Sequence, residues 1–134
     1  MGDTPMIWFV AIGGAVGSVA RFLLAVLVQR WSASTFPAGT LVINVTGSFL
    51  LGFLMRYALG TSSVTPEVRA LLTTGFCGGY TTFSTFSYDS IMLMESGQYG
   101  RAGFYVALSV GASLLATVAG IVTAHALLAF RTRA

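Results

Sequence analysis

Gly75-Phe76-Cys77-Gly78-Gly79-Tyr80-Thr81-Thr82-Phe83-Ser84-Thr85-Phe86-Ser87 is the stretch whose reading decides the fold. It sets three glycines and a dense run of hydroxyls inside a hydrophobic segment. Lipid offers no partner for a free N–H or C=O, so backbone that leaves the helix at membrane depth must be buried in protein or line a cavity or ion site. The pattern predicts a membrane-spanning helix broken over Gly75–Thr82. After the break, Phe83 and Phe86 are separated by a single helical turn, as are Ser84 and Ser87, which stacks two ring edges beside two hydroxyls. The simpler alternative is an ordinary membrane helix kinked by glycine, its Ser and Thr bonded back onto their own carbonyls. Five hydroxyl residues and two phenylalanines within Thr81–Ser87 favour a site.

The surrounding composition supports a membrane setting. Of 134 residues, 55% are hydrophobic and only 8% charged, against about 25% charged in a soluble domain; the mean hydropathy is +0.82. Four spans of roughly 20 residues each use up most of the chain, so one all-α integral-membrane domain over residues 1–134 is expected. The spans fall at about 6–28, 38–57, 68–94 and 101–130. The net charge is +3, from basic residues that are all arginine and scattered singly. Nucleic-acid binding calls for clustered cations, so no nucleic-acid partner is expected. A single cysteine, Cys77, excludes an internal disulfide framework. The N-terminal Met-Gly-Asp-Thr-Pro carries no basic region ahead of the first apolar run, which therefore reads as a retained span and not a signal peptide.

Taken in order, span one carries Gly13, Gly17 and Arg21 at four-residue spacing, with Gly14 alongside. Small residues so spaced let helices approach closely, whereas an arginine inside a span faces protein or water or snorkels to an interface. The loop Gln29–Pro37 holds Arg30 and Trp31, an interfacial anchor pair. Span two bears Thr40, Asn44 and Ser48 on one stripe, with Thr46 elsewhere on the helix; such a stripe is either a lining or interhelical glue. Thr65, Pro66 and Glu67 read as an N-cap, a first helical position and an acid at the positive helix end. In span three, Asp89 falls near the membrane edge or pairs with an arginine, and Glu95 lies at the interface. Span four carries a ladder of Tyr105, Ser109 and Ser113. His125, near its end, reads as interfacial, since no second His, Cys or Asp is placed to join it in a metal site.

Apart from Arg21, the polar groups within the spans are neutral, and most donate hydrogen bonds. The middle of spans one, two and four holds no carboxylate, which argues against a proton-coupled exporter. No nucleophile–base pair is present, so an enzyme is not expected. A path made of donors suits a small anion, which can also rest against the positive edges of Phe83 and Phe86. Carbonyls released by the break are cation ligands. With four spans, Arg56, Arg69, Arg131 and Arg133 lie on one side of the membrane against Arg30 and Arg101 on the other, a weak bias that lets the chain insert both ways. Four short spans enclose no pore alone, so a dimer is expected.

Together with Gly39-Thr40-Leu41-Val42-Ile43-Asn44-Val45-Thr46-Gly47-Ser48 and Gly13-Gly14-x-x-Gly17-x-x-x-Arg21, the Gly75–Ser87 core closely resembles the Fluc (CrcB-type) fluoride channels. The likeness extends over essentially the whole chain. It implies a fluoride-selective channel in the cell inner membrane that passively exports cytoplasmic fluoride and so relieves its toxicity. It further implies an antiparallel, dual-topology homodimer in the lipid bilayer, with two pores and a central structural sodium ion. On this resemblance, main-chain carbonyls of Gly78 and Thr81 bind the sodium. Phe83 and Phe86 are the pore phenylalanines, and Asn44, Ser84, Tyr105, Ser109 and Ser113 the polar lining. Arg21 matches the arginine of the first span. Tyr80 stands where an aliphatic residue is expected. The rival of similar size, a small dual-topology multidrug or cation exporter, wants a glutamate in span one, where this chain has Arg21.

Overall fold

The computed structural model describes residues 4–32 and 34–131; Arg133, counted in the charge balance above, lies outside them. Every element among the described residues is helical: α1 (Thr4–Ser32), α2 (Ala38–Leu59), α3 (Pro66–Ala70), a π-helical segment (Leu71–Cys77), α4 (Gly78–Tyr80), α5 (Phe83–Glu95) and α6 (Tyr99–Arg131). Three of these helices, α1, α2 and α6, are long and apolar enough to cross a membrane. Their outward side chains are large and apolar, among them Phe22, Leu23, Leu115 and Val122, which is the surface lipid requires.

The helix ends follow the local chemistry. Thr65 caps α3, its hydroxyl accepting from the Val68 N–H at 3.3 Å. Beside it, the Glu67 backbone N–H and the Thr65 hydroxyl hold the Glu67 carboxyl below the ordinary carboxylate range. Between α5 and α6 the chain reverses at Gly97, whose φ of 76° suits only glycine. There the Gln98 and Gly97 N–H groups close onto the Leu93 and Met94 carbonyls, the paired bonds of a Schellman turn. Helix α1 runs past the expected end at Val28 as far as Ser32. Arg30 and Trp31 are thus on its last turn and not in a loop, where an arginine complements the negative helix end.

The expected break over Gly75–Thr82 is narrower than its glycines suggest. Gly75 is wound into the π segment, Gly78 and Gly79 into α4, and the chain leaves the helix only at Thr81 and Thr82. Gly75 and Gly79 serve helix approach. A Cβ on Gly75 would lie 2.9 Å from the Val10 carbonyl oxygen, and one on Gly79 2.5 Å from that of Gly14. From the other side, a Cβ on Gly17 would stand 2.2 Å from the Phe76 oxygen. Backbone thus meets backbone where α1 crosses the π segment and α4, the close packing that small residues permit. The same device joins α2 to α6, where a Cβ on Gly52 would meet the Thr117 oxygen and one on Gly120 the Phe49 oxygen. Gly78 differs, having nothing within 4 Å of where a Cβ would stand.

These contacts separate two neighbouring glycines on α1. Gly14 has open room, its nearest neighbour being the Gly75 oxygen at 3.8 Å. Gly17→Ala should therefore cost about 1–3 kcal/mol through overpacking, while Gly14→Ala should unfold at the wild-type temperature. Thermal unfolding of the two variants in detergent checks this; equal melting of both would mean that α1 is not seated as described.

Candidate functional site

Leaving a helix for two residues frees backbone groups, and α2 supplies their partner. The Asn44 side chain accepts from the Thr82 N–H at 2.8 Å and donates to the Thr82 carbonyl at 3.0 Å. Its amide thus stands in for an adjacent β-strand across a residue whose φ and ψ, −153° and 114°, are extended. The Thr82 N–H given to Asn44 no longer closes the helical turn onto the Gly78 carbonyl. Thr82 also caps α5, its hydroxyl accepting from the Thr85 N–H at 3.1 Å. The neighbouring carbonyl of Thr81 receives a long 3.5 Å contact from Arg21 Nη1, and that of Gly79 one of 3.4 Å from the Ser18 hydroxyl. Side chains from two helices therefore fix the break.

Beside it lies a cavity of about 280 Å³, lined by Asn44, Gly47, Ser48 and Leu51 of α2, Thr81 and Thr82 of the break, Phe83 and Phe86 of α5, and Ser109, Val110 and Ser113 of α6. None of these side chains is charged. The Phe83 and Phe86 ring centroids are 5.6 Å apart with planes at 44°. Phe83 is 79% exposed on the protomer surface, while Phe86 packs inward against Tyr105 at 5.5 Å. Ser109 is buried on the cavity wall, and its hydroxyl has no partner among the described residues. A buried, unpaired hydroxyl is costly, and here it borders space that a ligand can fill.

Of the residues singled out from sequence, Asn44, Thr81, Phe83, Phe86, Ser109 and Ser113 come together around this cavity, and Ser84, Tyr105, Arg21 and Gly78 are not among its lining residues. Ser84 bonds back to the Thr82 hydroxyl at 3.2 Å. Tyr105 is fully buried one turn from Ser109, and its hydroxyl reaches Asp89 Oδ2 at 3.4 Å. Thr40 donates to the same oxygen at 2.7 Å. The carboxylate of Asp89 is thus held by two hydroxyls from α2 and α6. Nothing local in the sequence signals this, since Thr40 and Asp89 stand 49 residues apart. The stripe on α2 divides accordingly: Thr40 and Asn44 join helices, while Asn44 and Ser48 face the cavity.

Several other hydroxyls follow the simpler alternative. Thr73, Thr81, Ser87 and Ser90 each donate to the carbonyl four residues earlier. Ser87 is therefore not a free donor beside Ser84. Gly47, Leu51, Thr82 and Val110 complete the lining, and of these only Thr82 carried a chemical signal in the sequence.

The arrangement is a neutral, donor-lined cavity beside a pinned break in an apolar helical protein. The CrcB family, described as CrcB-like protein, Camphor Resistance (CrcB), matches residues 8–121. A protein of Rhizobium meliloti named fluoride-specific ion channel FluC is 46% identical over 121 residues, covering 90% of this chain and 97% of that protein. One of the same name from Geobacter sulfurreducens is 48% identical over 118 residues, 88% of this chain and 95% of its own. The chain belongs to the CrcB family, and it is a multi-pass membrane protein.

Removing the Asn44 amide tests the pinned break directly. Asn44→Leu leaves the buried Thr82 N–H and C=O without partners, at about 1–3 kcal/mol each, so a loss of about 2–6 kcal/mol in stability is expected. The Thr82 amide should also exchange with deuterium much faster than in wild type. Unchanged exchange at Thr82 would show that another group holds the break.

Proposed function

We infer that the chain is a fluoride-selective channel, an ion channel and not an enzyme, which lets fluoride leave the cytoplasm passively and so limits its toxicity. The observation that carries this is the unpaired Ser109 hydroxyl buried on the wall of an uncharged cavity beside Asn44, Phe83 and Phe86. A small, strongly hydrated anion needs donors to replace its water, and the positive ring edges add to them. Asn44 keeps one amide N–H beyond the bond it gives Thr82, and α5 directs its positive N-terminal end toward the same space. Sequence kinship to proteins named fluoride-specific ion channels points to the same anion. Arg21, on α1, adds positive charge beside the break. Ser84 and Tyr105 belong to the same polar system, Ser84 through Thr82 and Tyr105 from behind Phe86 and Ser109.

The functional unit in this reading is an antiparallel homodimer of four-span protomers, with residues 68–94 making the third, broken crossing. Phe83, Tyr88 and Ile91 are exposed on α5, next to the exposed Ser84 and Thr85. A second copy covers such a mixed surface better than lipid does. With two cavities per dimer, two pores result. A structural sodium fits the break in chemistry: the Gly78 carbonyl is released from its helical N–H, Thr81 offers a second neutral oxygen, and Gly78 faces open space. The carbonyls of Gly78 and Thr81, doubled by the second copy, would hold the ion, which supplies positive charge where helix ends meet. The exporter alternative lacks its required acid, since span one offers Arg21 instead.

Fluoride efflux from liposomes containing the purified protein is the deciding measurement. Wild type should pass fluoride and exclude chloride; no efflux would end the channel reading. Ser109→Ala should slow efflux about ten- to a hundredfold, as expected for one hydrogen bond to a charged group. Phe83→Ile and Phe86→Ile should each slow it while leaving the protein folded, and Asn44→Asp should be worse, because it sets a negative charge against the anion. Wild-type rates in all four would move the path elsewhere.

Orientation has its own test. Several lysines added at one terminus should lock insertion and abolish efflux, and an oppositely biased copy should restore it. Full efflux from one fixed orientation would sink the antiparallel dimer.

A further inference from the structure

Two residues stand apart from the pattern the site otherwise follows. Thr46 lies off the Thr40–Asn44–Ser48 stripe, and Tyr80 occupies a position where an aliphatic residue was expected. The fold joins them, with Thr46 Oγ1 and Tyr80 Oη 2.8 Å apart. Thr46 Oγ1 also lies 2.7 Å from the Val42 carbonyl and 3.2 Å from that of Ile43, both on its own helix. A hydroxyl has one hydrogen and two lone pairs. Thr46 directs its hydrogen back to α2, so its oxygen accepts from the Tyr80 phenol.

The Tyr80 ring is held by two neighbours. It stacks on Phe76 at 5.7 Å with planes at 10°, and Gly47 of α2 lies against it. A Cβ on Gly47 would stand 3.0 Å from Tyr80 Cδ1 and 2.3 Å from the Thr81 methyl. Helix α2 therefore seats on the break through a notch at Gly47. Asn44 grips Thr82 on one side of that notch, and Thr46 grips Tyr80 on the other. One attachment leaves α2 free to rotate or slide about it. Two attachments on either side of a notch fix both motions, and lipid supplies no hydrophobic force to do so instead.

We propose that the Tyr80–Thr46 hydrogen bond is a positioning latch that sets the register of α2 on the break, and thereby the placement of Asn44 and Ser48 in the cavity wall. Its effect on conduction rests on the reading of that cavity as the fluoride path. Neither residue lines the cavity, so the latch acts through Asn44 and Ser48.

The test combines fluoride efflux with hydrogen–deuterium exchange of the break on the intact protein in detergent. Tyr80→Phe keeps the ring and its stacking but deletes the donor. It should slow efflux about two- to tenfold, the range for one neutral hydrogen bond, and should speed exchange at Thr81–Thr85 while leaving α6 unchanged. Thr46→Val should do the same, the double variant should be no worse than either single, and Thr46→Ser, which keeps the acceptor, should restore both readouts. Independent, multiplying losses in the double variant, a Thr46→Ser as slow as Thr46→Val, or wild-type exchange in Tyr80→Phe would each overturn the latch. If the wild-type protein itself passes no fluoride, the channel reading falls, and exchange at the break alone decides the latch.

Discussion

Everything at the centre of this protein depends on how a break in the helical chain at Thr81 and Thr82 is satisfied. A chain that leaves the helix there frees N–H and C=O groups, which when buried must find partners within the protein. The Asn44 amide is matched to that problem, since it carries one acceptor and two donors on a flat group. Bonding both the N–H and the C=O of Thr82, it lets that residue run extended with both its backbone groups paired. An aspartate there would lack the donor, and a leucine would lack both functions. The opening in turn permits a new helix, α5, to start inside the protein with its positive end beside the cavity.

The glycines divide into structural tasks that follow from their neighbours. Gly13, Gly17, Gly75 and Gly79 bring the backbones of α1, the π segment and α4 into contact, and Gly47 makes the notch for Tyr80 and Thr81. Closely approached backbones form a rigid support, because little side-chain freedom remains between them. The cavity is thus framed by elements that have little room to relax, while its wall holds a hydroxyl with no partner among the described residues. Rigid framing with unsatisfied donors suits a ligand that must shed water, since the donors need not be reorganised when it arrives.

The exposed face of α5 carries the same logic outward. Phe83, one of the cavity rings, is largely exposed on the single protomer. A cavity that shares a wall with the protomer surface is incomplete until that surface is covered. In the antiparallel reading, assembly and pore formation are therefore one event. The positioning of α2 by Asn44 and Thr46 acts upstream of both, because it fixes which side chains face the cavity before a partner is added.

By itself the sequence determined the membrane setting and the helical class, and it singled out most of the polar residues that line the cavity. These are written locally: apolar runs of span length, a glycine and hydroxyl cluster inside one of them, and hydrogen-bonding side chains at helical spacing. Tertiary structure decided which of those groups are free. Thr73, Thr81 and Ser87 look like Ser109 in sequence, yet they bond to their own helix, and only the packing of α6 leaves Ser109 unpaired. Glycine spacing marked Gly13 and Gly17 for close approach but put Gly75 and Gly79 in the break, since close approach and helix breaking call for the same residue. The pairings of Asp89 with Thr40 and Tyr105, and of Tyr80 with Thr46, were likewise illegible. They join residues far apart in the chain, and a hydrogen bond depends on where helices cross, which no local pattern encodes.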